Sequence, residues 1–186
     1  MAGPPNLRSL LSQGRHALSL GRVPEIVALV QAKPLLANRL IEYLWDDDPG
    51  VAQRAADVLE RASRQGLPAV HHALTESKEA LLGLMTEAGP KKLRWNLALT
   101  AGRLPLMPSE ARRAAATLQS WLGDPSSIVK TAALQGLADL TRHDPSLLPE
   151  VLDLLRIHGR SGTAAMRARS RLLLKQLRKT RGPELA

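Results

Sequence analysis

The chain has 186 residues, 26 Lys and Arg against 17 Asp and Glu, and neither Cys nor Phe. A single unit of this length buries roughly 70% of the surface its unfolded chain exposes, so it needs no metal or disulfide staple. Zero cysteines exclude a disulfide framework, thiolate zinc sites and a cysteine nucleophile. The 44% apolar fraction comes almost wholly from Leu, Ala and Val, with only three Trp and one Tyr, a composition that packs helix against helix and predicts an all-α fold.

The first twenty residues carry two early prolines, and Arg8, Gln13, Gly14, Arg15 and His16 interrupt the apolar stretch. That is not the pattern of a signal peptide, and no window approaches the roughly 18 apolar residues of a membrane span, so a cytoplasmic protein without a membrane span is expected. Residues 7–20 and 24–32 read as an irregular helix pair within a capping segment, 1–33. Four pairs follow, in repeats at 34–65, 66–105, 109–142 and 146–180, with a tail at 181–186, all in one domain. Their first helices are expected at 34–45, 77–88, 109–122 and 146–157, and the breaks at 46–50, 89–90, 123–127 and 158–162. These breaks hold Asp or Ser caps, Pro for a first helical position and Gly for a helix end.

The second helices share a register. Stepping +4, +7, +8 and +11 from Val51, Leu93, Val129 and Met166 gives four nearly apolar sets, such as Ala55, Val58, Leu59 and Ala62. At 100° per residue these offsets lie within about 100° of arc, one stripe on a helix. The anchors recur at a period near forty, which belongs to two-helix repeats.

The units WDDDPGVAQRAADVL and LGDPSSIVKTAALQGL resemble HEAT repeats, with Asp-Pro in the turn and a basic residue and paired alanines opening the second helix. The resemblance spans roughly 34–178 and implies a right-handed α-solenoid of four to five helical hairpins. The units opening with Leu93-Arg94 and Met166-Arg167 lack the Asp-Pro turn. In that family a turn Asp and a basic residue six positions later form a ladder between adjacent repeats, a spacing shown by Asp48 with Arg54 and by Asp124 with Lys130.

No arrangement of residues suggests catalysis. Adjacent His71 and His72 project about 100° apart and cannot chelate as an i, i+4 pair would; His16, His143 and His158 stand alone. The Asp46–Asp48 run lacks the glycine and downstream Glu of a calcium loop and suits helix capping. GRSG at 159–162 follows no strand, so it is no phosphate loop. Neither cofactor nor metal is expected.

Charge placement is the strongest functional signal. Nine basic and no acidic residues lie between Leu154 and Pro183, whereas residues 1–155 hold 17 basic and 16 acidic ones. Arg167, Arg171, Lys175 and Arg178 stand at +1, +5, +9 and +12 from Met166, a stripe of about 80° beside the apolar one. Arg94 and Lys130 share the +1 offset. Since second helices line the concave surface of HEAT-like solenoids, the resemblance implies a cationic row along a groove. Such a row draws polyanions, while the same charges also suit a terminal repeat that needs a polar outer face. Trp45 and Trp121 read as packing residues, and Trp95, at +2 beside Arg94, as a groove contact.

The leading expectation is therefore a non-catalytic scaffold that binds a protein partner, acidic in character, through its concave face. Sequence-independent nucleic-acid binding by the basic row is the alternative. HEAT-like alkylpurine DNA glycosylases, which use groove Trp residues and a catalytic Asp, are a minor one, because the Trp95 helix carries no acid and Asp124 lies in a turn. Oligomeric state has no signature in the sequence.

Overall fold

The computed structural model describes residues 6–16, 19–87 and 89–180. They form an all-α fold, with no strand among them. The helices are α1 (Leu7–Ser12), α2 (Val23–Ala32), α3 (Leu36–Glu42), α4 (Pro49–Arg64), α5 (Pro68–Glu76), α6 (Lys78–Thr86), α7 (Lys91–Ala101), α8 (Pro108–Ser120), α9 (Ser127–Leu140), α10 (Leu148–Ser161) and α11 (Ala164–Thr180). Short 3-10 turns follow α3 and α8 and precede α10.

The helices pack as hairpins whose second members lie side by side: α2 on α4, α4 on α7, α7 on α9 and α9 on α11. In the other row α3 meets α5 and α6 meets α8, while α10 packs on α11. The apolar stripes face between the rows. All four anchors are buried, and so are Ala55, Val58, Leu97, Ala101, Ala133, Leu137 and Leu173, within one continuous core. No described helix is long and apolar enough to cross a membrane.

Local chemistry sets the boundaries. Asp48 accepts from the Gly50 amide at 2.7 Å with Pro49 as the first residue of α4, and Asp124 accepts from the Ser126 amide at 2.7 Å before α9. Helix α4 ends in a left-handed Gly66 (φ +72°). The Gly66 and Leu67 amides donate back to the Ser63 and Ala62 carbonyls, the paired bonds of a Schellman cap.

Several expected boundaries move. The segment expected as helix over 7–20 is helical only to Ser12, and its Ala17 and Leu18, like the tail at 181–186, lie outside the described residues. Helix α5 occupies a stretch left without an element; Pro68 supplies its first position and it is only nine residues long, too short to show a clear period. Helix α10 runs through the expected break to Ser161 and stops before Gly162.

Candidate functional site

The shared register assigns a role to each side of the second helices. Offsets +1, +5 and +9 face the next second helix. On α7 and its C-cap these are Arg94, Ala98 and Gly102: Arg94 reaches Asp124, the Ala98 carbonyl meets Gly136 of α9, and Gly102 lies against Asp139. On α4 they are Ala52, Ala56 and Glu60, and on α9 Lys130, Leu134 and Ala138; all but the half-buried Lys130 are buried.

On α11 the same positions hold Arg167, Arg171 and Lys175, all exposed, with exposed Arg178 continuing the line. No helix follows α11 among the described residues. The basic row therefore covers the outer side of the last described helix and does not run along a groove between helices. An angular offset from the apolar stripe places a residue on one flank of a helix, and here that flank is the one turned toward a successor.

Arg94 and Lys130 consequently do not extend the row. Arg94 Nη2 lies 2.9 Å from Asp124 Oδ2, Nη1 donates to the Gly89 carbonyl, and the side chain is mostly buried. Lys130 is half-buried near His158, and its charge together with burial of the imidazole holds the His158 pKa below its ordinary value, burial contributing more. Neither Asp48–Arg54 nor Asp124–Lys130 forms a pair. Asp48 caps α4, and Arg54 turns to the end of α1.

The groove side corresponds to offsets −1, +2 and +6. Between α7, α9 and α11 it forms an apolar trough of about 200 Å³, walled by Trp95, Leu99, Ile128, Thr131 and Arg169. Ile128 is 51% exposed there, and Trp95 is half-buried, packed on the core edge. Thr131 Oγ1 donates to the Ser127 carbonyl, and Arg169 Nη1 donates to Gln135 Oε1 at 2.9 Å. Trp121 is buried as its sequence context predicts, whereas Trp45 is 44% exposed. Both stand on 3-10 turns, Trp121 as the first residue of the turn after α8 and Trp45 as the last residue of the turn after α3.

The same side between α4 and α7 is closed over polar groups. Gln53, Arg54, Asp57, Lys92 and Asn96 are all buried. The end of α1 and the non-helical chain leaving it supply partners for two of them: Arg54 donates to the carbonyls of Leu11 and Ser12 at the end of α1 and of His16 beyond it, and Lys92 Nζ to that of Ser19 at 3.4 Å. Asp57 bridges Lys92 at 3.3 Å and Arg61 at 2.9 Å. Sequence reasoning passed over this cluster, although Asp57 and Lys92, at groove offsets, are charged where an open wall would tolerate anything.

Carboxylates at the turns are likewise engaged. Asp46 takes a bidentate bond from Arg8 at 2.7 and 2.9 Å, and that bond holds its pKa below the usual carboxylate range. Lys78 and the Met107 amide do the same for Glu110. Asp144 is lowered chiefly by the Ser146 hydroxyl, with its amide and Arg112 adding. Among the described residues no three His, Asp or Glu side chains converge as metal ligands would.

No protein-family model matches the chain, and no curated protein matches it either. Among solved structures it is similar to the crystal structure of an engineered protein, at 14% identity and a TM-score of 0.58, over 93% of this chain and 78% of that one. At that identity the likeness concerns the fold alone: a stack of helices shared with the engineered protein.

Proposed function

We propose that the chain is a HEAT-like helical-repeat scaffold, without catalytic activity, that binds a protein partner through the side on which α7, α9 and α11 form their trough. The observation that carries this reading is Ile128: a large aliphatic side chain left half-exposed beside Trp95 in a recess lined mainly by carbon. Recessed aromatic and aliphatic anchors are what protein partners use as hot spots. The polar groups of the trough favour binding over chemistry, because Arg169 and Gln135 bond each other and Thr131 bonds its own helix. No carboxylate lines it, and Asp124 is held by Arg94 and the Ser126 amide, which weighs against a glycosylase.

A photo-cross-linking residue at position 128, compared with one at position 171, tests the reading in cells. Protein adducts at 128 and not at 171 are the expected result; equal labelling at both positions overturns it. Polyanion binding is the second reading, favoured by the exposed Arg167, Arg171, Lys175 and Arg178 on an acid-free helix. Nucleic acid at position 171 is its signature.

A further inference from the structure

The chain itself shows how one part of the groove side is occupied. Between α4 and α7 the occupant is its own non-helical segment, Gln13–His16 and Ser19–Arg22, which offers main-chain carbonyls to Arg54 and Lys92. Arg54 stands at +3 from its anchor Val51. Arg169 stands at +3 from Met166, on the wall of the open trough, and among the described residues only its Nη1 has a partner. A guanidinium carries five N–H donors in a fixed fork, so Arg169 has donors left to give.

The floor differs in kind. Where the closed part has Gln53, Asp57 and Lys92 at offsets +2, +6 and −1, the open part has Trp95, Leu99 and Ile128. The closed part thus balances an anion and a cation within its own floor. The open part has one cation, Arg169, and no anion among its lining residues, and α11 above it carries no acid at all. The charge that complements the open part is negative.

Resting on the groove reading above, we propose that the open trough takes an extended, non-helical peptide segment of a partner protein, with apolar side chains on Trp95 and Ile128 and an acidic residue paired to Arg169. Its backbone carbonyls share the guanidinium, as that of His16 in the non-helical segment shares Arg54. A carboxylate on a half-buried Arg forms a charge-assisted, bidentate bond. Apolar anchors supply the affinity, and the pair fixes direction and register.

The experiment is selection of short random peptides displayed on phage against the full chain, followed by fluorescence anisotropy of the selected peptides. Expected are peptides with an Asp or Glu beside apolar residues, whose binding falls about tenfold or more in Arg169→Gln and in Ile128→Glu, is unchanged in Arg171→Glu, and survives an internal proline. Thermal unfolding verifies that each variant is folded, and Ile128→Ser replaces Ile128→Glu should the latter unfold. Peptides that need Ile128 but are abolished by proline bind as helices; that result overturns the extended occupant and leaves the protein-binding trough standing. Peptides insensitive to Arg169→Gln overturn the acidic pairing. Peptides that need Arg171 and ignore Ile128 overturn both proposals.

Discussion

Arg94 on α7 pairs with Asp124 in the turn of the following hairpin, Nη2 to Oδ2 at 2.9 Å, and both side chains are largely buried. The pair ties one hairpin to the next and leaves a residue that looked like a groove cation neutralised. Arg94→Ala removes the cation from a mostly buried carboxylate, a loss intermediate between exposed and fully buried pairs, about 1–3 kcal/mol. Chemical denaturation of Arg94→Ala, Asp124→Asn and the double variant measures it. A double variant less destabilised than the sum of the singles is the expected outcome, and simple additivity would deny the coupling.

Gly136 marks a close approach of α9 to α7 and α8. A Cβ placed there lies 2.5 Å from the Ala98 carbonyl oxygen and 2.7 Å from Leu118 Cδ1, so the α7 backbone has to shift and the buried Leu118 side chain has to turn aside. Gly136→Ala is expected to lose about 1–3 kcal/mol through overpacking, despite the better helix propensity of alanine. A raised Tm in that variant would contradict the contact.

How far the sequence revealed this arrangement depended on what each side of a helix must do. The stripes on Val51, Leu93, Val129 and Met166 were legible because burial repeats with the helical period, and the buried anchors follow it. Asp48 was legible as a cap and Asp124 as a turn residue because their tasks are local. The basic row was legible as a stripe but not as to the side it faces, since that depends on which helix comes next in space. The crossing of Gln13–His16 and Ser19–Arg22 over α4 had no periodic signal. Its trace was a set of charged residues, Arg54, Asp57 and Lys92, at positions that become buried only when a distant segment supplies their partners.

That crossing has a measurable strength. Arg54 satisfies carbonyls of Leu11, Ser12 and His16 from a buried position. Arg54→Met keeps much of the volume and leaves those acceptors without a donor, at about 1–3 kcal/mol. Amide hydrogen exchange then rises in Gln13–His16 and Ser19–Arg22 while α9 and α11 keep their protection. A uniform rise along the chain would mean that the segment is not a separate unit of opening.

The carboxylates at the turns set the acid limit. Asp46, Asp144 and Glu110 have pKa values depressed in the folded chain, by Arg8, by Ser146 and Arg112, and by Lys78 with the Met107 amide. A depressed folded pKa gives stability that is present above the unfolded value, about 3.9 for Asp and 4.3 for Glu, and lost as pH falls through the folded one. The Tm is therefore expected to hold from neutral pH to the carboxylate range and then fall. Asp144→Asn lowers the plateau and shallows the fall; an unchanged profile in that variant would show that the Ser146 and Arg112 contacts do not act through the charge.

The outer side of α11 separates stability from binding. Arg171 and Lys175 occupy the +5 and +9 positions, which on α4, α7 and α9 pack against a successor, yet here both are exposed. Reversing both to Glu touches no packed contact, and it places Glu on an acid-free helix beside Arg167, Arg178 and Lys179. Stability is expected to change by no more than about 0.5 kcal/mol. Any affinity for nucleic acid should vanish, along with its salt dependence, which counts the phosphates neutralised. Anisotropy of labelled duplex and single-stranded DNA and RNA across a salt series reads both effects. If the parent chain does not bind even at low salt, the row is not a nucleic-acid surface, and a polar face on α11 or an acidic protein partner is left as its role. If it binds and the reversed chain binds equally, the polyanion site lies elsewhere on the molecule, and the exposed row on α11 is not what holds the phosphates.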